Sequence, residues 1–162
     1  MFFNDIPSVH FLHPGDVAVG FSGDRFETLL GSCVSVILVS PCFRVAAMCH
    51  FVHSSRPPKA RSKDASYANV AMATMDLLLR NAGFNARLCR AYVLGGGNMF
   101  PSNGNLVDIG TQNVRWAFNY LNHKNIPVFD SETGENYYRK LAWDIGPSNP
   151  CKHIQTVSVT SF

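Results

Sequence analysis

Thr28-Leu29-Leu30-Gly31-Ser32-Cys33-Val34-Ser35-Val36-Ile37-Leu38-Val39 is a small-residue corner that delivers a cysteine to the start of an apolar, β-branched run. A second such run, residues 45–52, follows almost at once and carries His50. Between them, Ser40-Pro41-Cys42-Phe43 has the composition of a turn, with Pro in the second position, where its fixed φ suits a type I geometry. The two runs predict an antiparallel hairpin. A loop centred between Pro41 and Cys42 pairs Ser40 with Phe43, Val39 with Arg44, and so on down to Cys33 with His50. Directly opposite residues share a face, with Cβ atoms roughly 4.5–5.5 Å apart. The expectation is a Cys–His pair across one hairpin.

Outward from the hairpin, residues 1–15 carry Pro7, Pro14 and Gly15 and read as an irregular lead-in. Residues 16–21 alternate and predict a first strand. Residues 53–63 form a polar loop with Pro57-Pro58 and the cations Arg56, Lys59, Arg61 and Lys63. Ala65, Ala68, Met72, Met75, Leu79 and Ala82 recur at helical spacing, with Ser62 or Asp64 as cap and Gly83 as stop. Residues 86–94 predict a strand ending in Gly95-Gly96-Gly97-Asn98-Met99-Phe100. A loop over 101–105 precedes a second helix, which starts near Gly110-Thr111 and carries Val114, Ala117, Phe118 and Leu121 on one face. Strands at 126–129, 138–145 and 154–160 close the chain, separated by turns at 131–134 and 146–147. Six or seven strands with two helices make this α/β or α+β.

The chain has 162 residues, 46% hydrophobic and 15% charged, which suits a single globular domain over 1–162. No apolar stretch reaches the length a membrane helix needs, and the first residues lack the pattern of a signal peptide. A cytoplasmic protein, not membrane-embedded, is expected. The net charge of +3 is small and dispersed, which argues against nucleic acid. Cys33, Cys42, Cys49, Cys89 and Cys151 are odd in number and read as reduced thiols. No C-x-x-C occurs, and Cys49 and His50 are adjacent on a strand and point to opposite faces. No metal and no cofactor are expected.

A cysteine attacks as thiolate, so it needs something to lower its pKa, and a neighbouring imidazole does this by ion pairing. His50 is the candidate. Gly31 and Ser32 let the backbone turn sharply and bring amide N–H groups near the sulfur, where they would stabilise an oxyanion. The bland alternative is a buried small hydrophobe at Cys33 and a satisfied core histidine at His50. Gly95-Gly96-Gly97 matches neither a phosphate loop nor a dinucleotide fingerprint. It reads either as a strand-end turn or as a bare rim that lets a substrate backbone approach.

Leu30-Gly31-Ser32-Cys33-Val34, followed by Ala47-Met48-Cys49-His50-Phe51, resembles the CheD family of chemoreceptor glutamine deamidases. Tyr67, Gly95-Gly96 with Asn98-Met99-Phe100, Ile109-Gly110 with Asn113-Val114, and residues 130–134 before Arg139 fall in that family's order. The likeness covers about residues 16–145. It implies a sandwich of mixed β-sheets flanked by helices. It also implies hydrolysis of glutamine side-chain amides on methyl-accepting chemotaxis receptors, releasing ammonia, with Cys33 as nucleophile and His50 as its partner. Gly31 and Ser32 would form the oxyanion corner, and Gly95, Gly96 and Asn98 the substrate rim. Some relatives also act on receptor methyl esters, and some bind a CheC-type phosphatase. The family has a Thr six residues before the nucleophile. Here that position is Glu27, with Thr28 next to it, and either is a candidate to orient His50. Rival functions are a non-enzymatic adaptor for receptors or a phosphatase, and a cysteine amidohydrolase or acyltransferase with other substrates.

Overall fold

The computed structural model describes residues 6–100, 107–146 and 151–159. The loop expected at 101–105 lies outside the described residues, as do Pro147 and Thr160 at the ends of expected elements. Nine strands and two α-helices occur among the described residues: β1 (Val9–Leu12), β2 (Val17–Phe21), β3 (Arg25–Leu30), β4 (Val34–Val39), β5 (Val45–Cys49), α1 (Ala68–Asn81), β6 (Arg90–Gly95), α2 (Ile109–His123), β7 (Val128–Thr133), β8 (Tyr137–Asp144) and β9 (Cys151–Ser158). They form a four-stranded sheet, β1-β3-β8-β9, and a five-stranded sheet, β2-β5-β4-β6-β7. Each sheet is mixed, with β1 parallel to β3 and β6 parallel to β7. The architecture is the expected α+β sandwich with helices.

Burial at every position of β4 and β5 requires cover on both faces, and alternation divides the side chains between two cores. Val34, Val36, Leu38, Val45, Ala47 and Cys49 face the helices, meeting Ala68, Ala71, Met72, Met75 and Leu79 of α1 and Ala117 and Leu121 of α2. Ile37, Val39, Ala46 and Met48 face the smaller sheet, meeting Leu12, Phe26, Leu30, Leu141 and Trp143. The molecule is thus a three-layer stack with the five-stranded sheet in the middle. α1 presents its small residues at helical spacing, which lets it lie close on the sheet, and it stops at Gly83, whose φ of 90° suits glycine.

Several local expectations are corrected. The hairpin register is two residues longer than expected: Val39 pairs with Ala46 and Leu38 with Ala47. The Phe43 N–H does close the turn on the Ser40 carbonyl (2.9 Å), but Phe43 takes φ 60° and the loop runs on through Arg44, so the Ser40 N–H donates to Val45. A two-residue shift preserves parity, so every side chain keeps its face. The lead-in contains β1, which pairs with β3 as a short edge strand. α1 begins at Ala68 with no side-chain cap; Asp64 Oδ1 instead accepts the Ser66 N–H at 2.9 Å. Residues 86–88 form a 3-10 turn before β6. The turn expected at 131–134 is mostly strand, because β7 is an outer strand whose exposed positions tolerate Ser131 and Glu132.

Phe26 is fully buried between the sheets. Phe26→Ala should cost about 3–5 kcal/mol through lost transfer energy and a cavity, read in urea unfolding as a lower midpoint at unchanged m-value.

Candidate active site

Strand alternation settles which neighbour meets His50. On β3, Phe26, Thr28 and Leu30 are buried, while Arg25, Glu27 and Leu29 face outward. Thr28 Oγ1 donates to the Leu12 carbonyl at 2.7 Å and lies 2.8 Å from His50 Nδ1. A hydroxyl has one proton. With that proton on Leu12, Thr28 accepts from Nδ1–H, which leaves the lone pair of the neutral imidazole on Nε2. Nε2 is buried and has no hydrogen-bond partner among the described residues. The Gly15 N–H donates to the His50 carbonyl at 2.8 Å, so the β1–β2 turn also fixes the backbone there. Glu27 does not approach His50. It sits on the outer face beside Arg25, with an N–O separation of 3.7 Å.

His50 follows β5, and the bridge between Val34 and Phe51 holds the two strand ends together. That register sets Cys33 opposite Val52, with His50 on the diagonal and on the same face, towards the smaller sheet. No hydrogen bond joins Cys33 to His50 among the described residues. The expectation that an ion pair lowers the thiol pKa is corrected. Burial pushes the Cys33 thiol up, opposed by its own amide N–H. Burial also pushes the His50 imidazole down, against the Leu12 carbonyl and the Asp16 carboxylate. Both shifts favour a neutral thiol beside a neutral imidazole.

The corner before Cys33 is held by its carbonyls. The Gly97 N–H donates to Gly31 at 2.9 Å and the Gly96 N–H to Cys33 at 2.8 Å. The Asn113 amide, fully buried on α2, donates to Ser32 at 3.1 Å and to Val52 at 2.9 Å. With these three carbonyls drawn into the fold, the N–H groups of Ser32 and Cys33 have no backbone acceptor among the described residues. Gly31 and Ser32 are half-buried, and a side chain at Gly31 would press on Tyr138 and Met99.

Gly95 and Gly96 do not form the open rim expected of them. Both are buried. A Cβ at Gly95 would overlap the Cys33 carbonyl, and one at Gly96 would overlap Val114 and the Gly110 carbonyl. Their positive φ values, 106° and 66°, need glycine as well. They bring the end of β6 against the corner on one side and the start of α2 on the other. Asn98 is half-buried; its N–H donates to the Glu135 carbonyl at 2.8 Å and its side-chain oxygen accepts from Phe100 at 3.0 Å.

Three contributors were not legible as site residues: the Leu12 carbonyl, Gly15 and Asn113. Pro14-Gly15 is a turn signal, but nothing in it points to a histidine 35 residues away. Asn113 carries the clearest signal, a polar residue on the apolar stripe of a helix with Ala117 and Leu121. The four cysteines Cys33, Cys42, Cys49 and Cys89 are free thiols, and no group of three or more metal-ligating side chains occurs among the described residues. None of the described helices is long and apolar enough to cross a membrane.

Comparison with known proteins identifies the family. The family model described as CheD chemotactic sensory transduction matches residues 52–149. A protein of Albidiferax ferrireducens described as probable chemoreceptor glutamine deamidase CheD 2 is 33% identical over 148 residues, covering 88% of this chain and 85% of its own. One from Dechloromonas aromatica, probable chemoreceptor glutamine deamidase CheD 3, is 34% identical over 83% of this chain and 81% of its own. One from Pseudomonas syringae pv. tomato with the corresponding description is 30% identical over 92% of this chain and 90% of its own. The family model's match begins after His50, whereas the three relatives' alignments leave too little of the chain outside them to omit the segment from Cys33 to His50. On the family match and on these relatives together, the chain belongs to the CheD family.

Proposed function

We propose that the chain is a chemoreceptor glutamine deamidase, with Cys33 as nucleophile and His50 as its general base. The observation that carries this reading is the Thr28–His50 hydrogen bond, which leaves the His50 Nε2 lone pair unpartnered on the side of the sheet that Cys33 shares. The family supplies the substrate class, since its members compared above are described as deamidases of receptor glutamines.

The chemistry begins from neutral partners. Nε2 takes the thiol proton as sulfur attacks the glutamine Cδ, so the thiolate exists only as the C–S bond forms. The amide N–H groups of Ser32 and Cys33, which have no backbone acceptor among the described residues, would stabilise the oxyanion. The imidazolium returns its proton to the leaving nitrogen, ammonia departs, and a γ-glutamyl thioester remains. His50 then takes a proton from water, hydroxide attacks the thioester, and glutamate and the Cys33 thiol are released. Throughout, Thr28 keeps the Nδ1 proton in place, as a positioning residue.

Mass spectrometry of a receptor cytoplasmic domain tests this. Cys33→Ala should abolish conversion of glutamine to glutamate; turnover at the wild-type rate would sink the mechanism and favour the adaptor role. Thr28→Val, which removes the acceptor for Nδ1–H, should lower kcat by about 10-fold or more with KM little changed. Glu27→Gln should leave both near wild type.

The pH profile has a definite sign. Burial lowers the His50 pKa below its ordinary 6.5 and raises that of Cys33 above its ordinary 9.0. A neutral pair stays competent between those two limits, so kcat/KM should hold through pH 6.5 on the acid side. A resting ion pair would lose activity through deprotonation of the imidazolium instead, on the alkaline side.

Asn113→Leu leaves the Ser32 and Val52 carbonyls without their donor. It should destabilise the fold by about 1–3 kcal/mol and reduce kcat, measured by denaturant unfolding alongside the deamidation assay.

A further inference from the structure

A second concave site lies at the far end of the helix layer. A cleft of about 790 Å³ opens between the C-terminal turns of α1 and α2. Phe84 is half-buried at its edge, and Leu38, Met72 and Ile126 lie beneath, almost wholly buried. Its walls carry Asp76, Arg80, Arg87, Tyr120 and Lys124. α2 has 15 residues, about 22 Å at 1.5 Å per residue, and its N-terminal end packs on Gly96 and Gly97. The cleft is therefore separate from the Cys33 corner.

The charges in the cleft do not cancel. Asp76 is engaged by Arg80 one turn along α1. Arg87 and Lys124 have no ion-pair partner among the described residues. Cations at helix C-termini answer the helix dipole, which accounts for Arg80 and Lys124. It does not account for Arg87, which sits on the 3-10 turn at Ala86–Leu88 and faces the same space. Tyr120 supplies an aromatic wall, stacked on Trp116 with ring centroids 5.1 Å apart and with Lys124 Nζ 5.7 Å from its ring. Burial, then the Asp76 carboxylate, push the Tyr120 hydroxyl above its ordinary pKa, against Arg87. The phenol therefore stays neutral and able to donate. Polar and charged side chains line the cleft at least as much as apolar ones do, which suits a charged organic ligand of small-molecule size.

We propose that this cleft binds a small organic anion with a flat apolar body, its charge held between Arg87 and Lys124 and its body against the rings of Phe84 and Tyr120. The site is independent of the deamidation reaction proposed above.

The test uses the full chain and anilinonaphthalenesulfonate, a flat aromatic anion whose fluorescence rises in apolar surroundings. Titration should saturate at one site per chain. Arg87→Glu/Lys124→Glu should weaken binding about 10-fold or more, since two attractive charges become repulsive, while deamidation stays unchanged. Arg56→Glu/Lys59→Glu makes the same change of net charge on the exposed loop at residues 53–63 and should bind as wild type. Absence of saturable binding, equal binding in the cleft variant, or equal weakening in both variants would overturn the proposal.

Discussion

One hydroxyl ties the two sheets together where the site is. Thr28 lies in the layer between the sheets, among the buried side chains of Leu12, Phe26 and Leu30. Its single proton goes to Leu12 in its own sheet, and its lone pair receives the imidazole of His50 from the other. Each such bond contributes about 1 kcal/mol net, but removing the hydroxyl would strand a buried carbonyl and a buried ring nitrogen at about 1–3 kcal/mol apiece. The interaction works less by strength than by direction. It makes the tautomer of His50 a property of the sandwich rather than of the histidine.

The hydrogen bond fixes the tautomer, and burial shifts the pKa values around it. Burial disfavours charge on both Cys33 and His50. Gly31, Ser32 and Cys33 turn their carbonyls to Gly97, Asn113 and Gly96. The corner is held from behind by the end of β6 and the start of α2. The glycines at 95 and 96 serve that close approach.

Much of this was readable from residue order. Period-two patterning identified β4 and β5, and because parity survives a two-residue slip, the shared face of Cys33 and His50 survived a wrong loop length. The slip arose at Phe43, where a positive φ in a non-glycine residue carries the loop through Arg44. Glu27 against Thr28 was decidable in principle, since Phe26 and Leu30 share parity with Thr28 alone. The spacing inherited from the family competed with that signal. β1 was hidden by its length, four residues beside two prolines. The direction of the pKa shifts at Cys33 and His50 had no sequence signal at all, because desolvation is a property of what packs around a group.

The path of the chain between layers has a consequence for how the site comes into being. β1 and β3 lie in one sheet, β2 and β4 through β7 in the other, and β8 and β9 return to the first. Leu12, Thr28 and His50 therefore meet only when both sheets have formed and docked, and β3 completes its pairing only with β8, more than a hundred residues later. Contacts so distant along the chain are slow to form. A folding intermediate holding the central hairpin and its helices would possess the cysteine and the histidine but not the bond that aims the imidazole. The bond that aims the imidazole is thus a property of the docked sandwich and of neither sheet alone.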